Sequence, residues 1–464
     1  MAEDGRRWRG ARRIIALANQ RWAAGRSMEA ITLSERAVAA LSTKRTAWQT
    51  KARLELAQLY MLMGRETAGL ELLEEIGRED CSIAFPDMAR LLELRGFAYQ
   101  RMGDAKACIV LYEQAWRLLR GRIAEHTRDG LAFLDRYAVA ARDLGLMALA
   151  QDIHQEQMRL AADERDSIGW DARLSVCGTF LLVGDFERAR NLLKPLPPCE
   201  ELTSLQRMDL VYQQMLIGFA LGDDERVMRF VDESVLREAM EFCAPHRIGQ
   251  VTAAFHRYRI DRRNYAEAST LLARAVQDLT SGDGTWWLAL RVCEYGSTKD
   301  IARLRDLMYR LGHDNDIARL HADLLSCCLE RANGQIENGT RAKLLSIADA
   351  FHRVGWRCHE AFALEYAGER QHARQLYEEL GMWGDAKRVT LRSHRSRIVP
   401  RAQNQQLTQR EHQVIALVRG GRSNLEIAKA LGIKKGTVEQ HLYWIFTKLG
   451  VSSRQELANR LLTS

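Results

Sequence analysis

The sequence predicts an all-α protein: a long solenoid of helical hairpins followed by a compact four-helix domain. Only 6 of the 464 residues are proline, and three of them, Pro195, Pro197 and Pro198, sit together, so long stretches are free of helix breakers. A turn built on glycine or asparagine recurs through the first part of the chain at nearly constant spacing. The net charge of +8 is concentrated at one end, where residues 386–464 hold 15 Lys and Arg against 4 Asp and Glu and leave the remainder slightly acidic. A basic end points to nucleic acid or an anionic membrane surface as partner, or to no more than a solvated face.

The recurring turn falls at Gly25, Gly64, Gly103, Gly145, Gly184, Gly222 and Asn264, with separations of 39, 39, 42, 39, 38 and 42 residues. That period implies one helical hairpin per repeat. The best-formed copy is Gly184-Asp185-Phe186-Glu187-Arg188-Ala189: Gly permits a left-handed turn, Phe186 can staple the next helix and Ala189 lets the two helices approach closely. Ala30, Ala107, Ala150 and Ala373 take the same place after their own turns, whereas Gly222 is followed by Val227. This turn resembles that of tetratricopeptide repeats, in longer and divergent hairpins. Between about 275 and 345 the spacing is lost; Ser281 to Gly284 reads as a loop and Gly312 as the next turn. The repeat arm is expected over residues 1–385. Such an arm offers a curved surface for a peptide, a protein or a small ligand, or serves only as a spacer or dimerisation arm. Trp286 and Trp287 fit either the binding surface or the core.

The nine cysteines lack CxxC spacing and lie mostly in apolar helical runs, which predicts reduced, buried thiols. The apolar run from Ile14 to Ala18 is too short for a signal peptide core or a membrane span, so a cytoplasmic protein without membrane partners is expected. Residues 386–402 read as a basic linker, closed by Pro400.

The remainder, 403–464, shows four short helical patterns, three of which open on a capping box: Thr408 with Glu411, Ser423 with Glu426 and Ser453 with Glu456. Val414, Leu417 and Val418 form an apolar stripe behind the first cap. Ile427, Ala428 and Leu431 do so behind the second, before Gly432 makes the turn. In the third helix Val438, Leu442, Ile445 and Leu449 recur at spacings of four, three and four, one buried face. Glu439, Gln440, Tyr443 and Thr447 then face outward, with Lys434 and Lys435 ahead of the helix and Lys448 near its end. A short helix, a glycine turn and a second helix with a polar face flanked by cations is what a major-groove reader requires.

The blocks Leu407-Thr408-x-Arg410-Glu411, Ser423-Asn424-x-Glu426-Ile427-Ala428, Thr437-Val438-x-x-His441 and Lys448-Leu449-Gly450-Val451-x-x-Arg454 resemble the signature of LuxR-type DNA-binding domains. The resemblance implies a helix-turn-helix over about 424–447 that binds double-stranded DNA. It implies Glu439, Gln440 and Tyr443 as base-facing residues, and Arg422, Asn424, Lys434, Lys435, Thr437 and Lys448 as phosphate contacts. It also implies a homodimer on DNA, since the family's fourth helix often pairs two modules, and makes RNA polymerase a candidate partner. His441 packs inside the module or touches phosphate. The chain departs from the pattern at Lys434, where Ser or Thr usually caps the recognition helix at a gain of ~1 kcal/mol, and at Glu439, where many members carry a base.

No phosphate-binding loop, HExxH, paired CxxC or GxSxG motif is present, and His313-Asp314 stands alone, so no enzyme activity, cofactor or metal is expected. The expected function is a sequence-specific transcriptional regulator. The alternative is a tetratricopeptide-like adaptor whose DNA-binding module is degenerate.

Overall fold

The computed structural model describes residues 2–457 apart from 24–25, 42–46, 80–82, 84, 103, 123–126, 163–165, 242–244, 263, 280–285, 312–314, 333–337, 395–406, 450–453 and 455–456. Its described residues form twenty-five α-helices and no strand. Helical hairpins follow one another: α1 (Ala2–Ala23) with α2 (Ser27–Ala40), α3 (Ala47–Leu62) with α4 (Glu66–Glu79), α5 (Asp87–Met102) with α6 (Ala105–Leu119). Next come α7 (Thr127–Asp143) with α8 (Met147–Leu160), α9 (Ser167–Val183) with α10 (Phe186–Leu193), and α11 (Ser204–Leu221) with α12 (Asp224–Phe230). A short α13 (Glu233–Glu241) precedes the pair α14 (Pro245–Asp261) and α15 (Tyr265–Asp278). After α16 (Trp286–Tyr295), α17 (Thr298–Leu311) pairs with α18 (Asp316–Ala332), α19 (Asn338–Arg353) with α20 (Arg357–Ala367), and α21 (Arg370–Glu379) with α22 (Trp383–His394). The arm is thus a run of tetratricopeptide-like hairpins, and α22 carries it through part of the segment read as linker.

The predicted turns at Gly64, Gly145, Gly184 and Gly222 have φ of 75°, 79°, 89° and 72°, and Gly368 has 90°, a backbone that favours glycine. Gly25, Gly103 and Gly312 lie outside the described residues, as does the loop from Ser281 to Gly284. Asn264 departs from the pattern: its φ is −87° and it precedes α15 without a left-handed turn. A second device accompanies the glycine. Asp185 and Asp223 follow Gly184 and Gly222 and accept from the amides of Arg188 at 3.0 Å and Arg226 at 2.9 Å, and Asp104 does the same for Ala107 at 2.9 Å. Phe186, Ala189, Ala150, Ala30 and Ala373 are buried as the spacing requires.

The stretch that resists registration contains α16, a short helix that packs against α14 and α18 and throws the period out of step. Its Trp286 is buried edge-on to Trp356, with ring centroids 5.6 Å apart, and so belongs to the core, whereas Trp287 is half-buried against that core, tilted near His359. Cys108, Cys177, Cys293, Cys327, Cys328 and Cys358 are buried free thiols and Cys199 is half-buried; Cys81 and Cys243 lie outside the described residues.

Later hairpins return against earlier ones. Helix α20 packs on α9 and α22 on α11, and one continuous core runs from Met147 to Val389. The approach is closest where a side chain at Gly384 would lie 2.1 Å from the Phe219 carbonyl and one at Gly184 would lie 2.7 Å from Leu380. Charge is buried in this joint. Asp385 accepts from Arg257 at 3.1 Å and Arg388 at 3.2 Å, and Arg388 grips both oxygens of Glu365 at 2.7 and 2.8 Å. The two guanidiniums hold the Asp385 carboxyl below its usual range, against the opposing effect of burial. Among the described residues no helix is long and apolar enough to cross a membrane.

Candidate nucleic-acid interface

Three described helices build the C-terminal module: α23 (Gln409–Arg419), α24 (Asn424–Leu431) and α25 (Lys435–Leu449). Both capping boxes ahead of α23 and α24 form. Thr408 donates its amide to Glu411 at 2.6 Å and accepts from the Glu411 amide at 3.2 Å; Ser423 and Glu426 do likewise at 2.7 and 3.4 Å. Hydrogen bonds from Ser423 hold the Glu426 carboxyl below its ordinary value. The third box, at Ser453, lies outside the described residues. Gly432 ends α24 in the left-handed region at φ 64°, which turns the chain into α25.

The stripes converge as the spacing predicts. Val414, Val418, Ile427, Ala428, Val438, Leu442 and Ile445 are buried together, with Leu417, Leu431 and Leu449 half-buried around them. Two further side chains of α25 are buried that periodicity did not single out, Phe446 and Trp444. The first had a signal, since it stands four positions after Leu442 and widens the same face; Trp444 had none. Two family-block arginines brace the module. Arg410 donates to the Leu431 carbonyl at 2.5 Å, and Arg454 donates to Asn424 Oδ1 at 3.0 Å and to the Arg422 carbonyl. Partial burial pushes the Arg454 guanidinium down.

The expected DNA contacts are unevenly placed. Lys434 and Lys435 are exposed at the start of α25, and Arg422 is exposed with Glu426 3.6 Å away. Glu439 lies 3.6 Å from Lys435, one turn back, so the acid that departs from the family pattern has a cation beside it. Gln440, about 200° round the helix from Val438, is half-buried, as are Thr437 and His441. Asn424 is half-buried and occupied by Arg454. The backbones of Tyr443 and Lys448 belong to α25, while their side chains lie outside the described residues.

The module rests on the arm. Helix α25 packs against α15, and Ala266 of α15 joins the edge of the module's core. Beside this contact a cleft of about 560 Å³ opens between the two, with Leu442, Phe446, Asn424 and Arg454 on one wall. Glu267, Thr270, Leu271 and Arg274, one face of α15 over two turns, form the other together with α13, which contributes Leu236 and Met240.

Residues 405–461 match the family described as bacterial regulatory proteins, luxR family. Over 59 residues the chain is 46% identical to the HTH-type transcriptional regulator MalT of Yersinia pestis (strain Pestoides F), a match that takes in 12% of this chain and 6% of that protein. It is 46% identical over 48 residues to the probable transcriptional regulatory protein SgaR of Hyphomicrobium methylovorum, covering 10% of this chain and 23% of the other. The chain therefore spans only a small part of the length of these curated relatives. Among solved structures, the apo form of RapI aligns with 84% of this chain and 99% of its own at 11% identity, with a TM-score of 0.39.

Proposed function

Since residues 405–461 form a LuxR-family helix-turn-helix domain, which implies DNA-binding transcriptional regulation, we propose that the chain reads specific DNA sequences through α25 and that its helical arm governs access to them. One observation carries the reading. Helix α25 buries Val438, Leu442 and Ile445 against α23 and α24 while Lys434 and Lys435 stand exposed at its N-terminus, where backbone amides also favour phosphate. Glu439, Gln440 and Tyr443 are assigned to base edges. Arg422, Asn424, Lys434, Lys435, Thr437 and Lys448 are assigned to phosphates, and two copies bind adjacent half-sites.

The arm's role is assigned from where α15 touches α25. A major groove about 12 Å wide admits one helix, itself 10–12 Å across with side chains. Helix α15 packs beside Leu442 and Phe446, next to the face of α25 assigned to the groove, so the arm stands where it can contest the approach of a duplex, and release of α25 from α15 is assigned to DNA engagement. A ligand, peptide or protein bound to the arm would act by shifting this docking equilibrium.

Selection of duplexes from a random pool by the full-length chain, followed by anisotropy titrations of the winner, tests the proposal. Affinity is expected to fall steeply with salt, and Gln440→Ala with Tyr443→Ala to relax the selected sequence. A shallow salt response and no enriched sequence would favour the adaptor reading.

A further inference from the structure

The cleft of about 560 Å³ between arm and module lies within the range of about 300–1,000 Å³ common for small-molecule sites. Its apolar part comes from both sides. Leu236 and Leu271 of the arm and Leu442 and Phe446 of the module are buried, and half-buried Met240 joins the same lining. Along α15 the cleft runs from Glu267 to Arg274, about 10 Å of helix.

The charges around it do not balance. The guanidiniums of Arg237, Arg259, Arg274 and Arg454 line the cleft against the carboxylates of Glu233, Glu241 and Glu267. Arg259 takes both Glu233, at 2.9 Å, and Glu267, at 3.7 Å; Glu241 is engaged as well, and Arg274 has Asp278 at 3.5 Å. Arg237 and Arg454 are left without an anion. Arg237 is exposed and forms no ion pair among the described residues, and Asp232 feels its charge only from beyond 4 Å. Half-buried Arg454 donates only to neutral oxygens, Oδ1 of Asn424 at 3.0 Å and the Arg422 carbonyl, and burial acts on its guanidinium with no carboxylate opposing it. A partly desolvated cation of this kind is stabilised by an anion that reaches it. Among the described residues of the lining, the buried side-chain atom left without a hydrogen bond is Nε of Arg259, which is again a donor.

We propose that the cleft binds a small amphipathic carboxylate, an aliphatic or aromatic acid about 10 Å long. Its body lies on Leu236, Leu271 and Phe446, and its carboxylate is directed to Arg237 and Arg454, the two cations without an anion. A cationic ligand would add to the surplus of positive charge, and a wholly polar one would leave the apolar part uncovered. An acid seated there touches both regions and so favours the docked form over the parted one. That consequence rests on the docking reading above, whereas the binding itself does not.

Calorimetric titration of the full-length chain with octanoate and 4-phenylbutyrate, against octylamine and acetate, tests it. Saturable one-to-one binding is expected for at least one of the two acids, about tenfold or more tighter than for either control. Arg237→Gln or Arg454→Gln should weaken it about tenfold. Thr270→Trp, at an exposed position on α15, should abolish it by filling the cleft. If Arg454→Gln loosens the module, seen as a loss of helical circular dichroism, the two substitutions on the arm decide. Absence of saturable heat with both acids, equal binding of octylamine, or an affinity that ignores all three substitutions would each overturn the inference. The docking reading is checked apart from it. At ten times its dissociation constant the acid should lower affinity for the selected duplex by up to about tenfold; saturable binding without that loss would leave the site standing and sink the docking.

Discussion

In the arm, ionic and titratable groups are taken inside: Asp385 sits between Arg257 and Arg388, and His154, His256 and His321 are buried. In the DNA-binding module the described charges lie at the rim except Glu411, which is buried where it closes the start of α23, and the small apolar core is framed by side chains that close helix ends, Thr408 with Glu411 and Ser423 with Glu426. The difference follows from size. A large core can enclose a fully paired charge network, whereas a module of some sixty residues buries too little to offset desolvation and gains more from satisfying its orphaned amides. Interior electrostatics should therefore set the arm's stability, and local backbone capping the module's.

The largest expected effect breaks the arm at its charged joint. Asp385→Ala removes the closest carboxylate from buried Arg257, while Arg388 keeps Glu365, and should cost about 3 kcal/mol, seen as a lowered denaturation midpoint for the arm with the module's own transition unmoved. Loss of both transitions together would show that the two regions are not separable in stability.

Acid comes next. Burial lowers His154 and His321 to about 4 and His256 to about 3, against about 6.5 in the unfolded chain. Such groups are neutral when folded, so their contribution is complete above pH 6.5 and is lost as pH falls toward 4, by up to about tenfold per histidine per pH unit in the folding constant. His154 is built for the neutral form: Nδ1 donates to Gln157 Oε1 at 2.9 Å and Nε2 accepts from the Thr179 hydroxyl at 2.8 Å. In the module the depressed carboxyl of Glu426 helps above 4.5 and is lost only as pH falls through its lower folded value. Calorimetry should find the arm's transition falling between pH 6.5 and 5 while the module's holds; parallel decline would contradict the contrast.

A smaller effect lies at the contact between the regions. Ala266→Arg forces a charge against the edge of the module's core and should loosen α15 from α25, raising affinity for the selected duplex about tenfold. Unaltered affinity would mean that the arm does not restrain the module. Smallest is Ser423→Ala, which removes one cap and should cost the module ~1 kcal/mol without moving the arm.

What could be read in the sequence was local. The hairpin period, the left-handed glycines, both described capping boxes and the inner stripe of α25 are patterns within a few turns of one helix, where spacing and geometry are tied directly. Asn264 keeps the period of the left-handed turns, yet a residue that precedes α15 at a φ of −87° keeps it equally well. The stretch near 286–295 defeated the period because α16 is an added short helix, and Trp286 gave no sign that Trp356 would meet it. Asn424, read as a phosphate contact, is held by Arg454, thirty residues on. The packing of α15 on α25 and the cleft beside it join segments distant in the chain, and nothing in either segment alone encodes its partner.

The joint at Gly384 has a consequence for how such an arm can change over evolutionary time. An open stack of hairpins gains or loses members at its ends with little cost to the rest. Here the last hairpin seats on α11 and the one before it on α9, so the end of the stack is also the wall of its middle. Duplicating or deleting a single hairpin between α9 and α22 would misalign that latch, which makes length a fixed property of this part of the arm and its melting an all-or-none event, while α1 to α6 pack in clusters outside it.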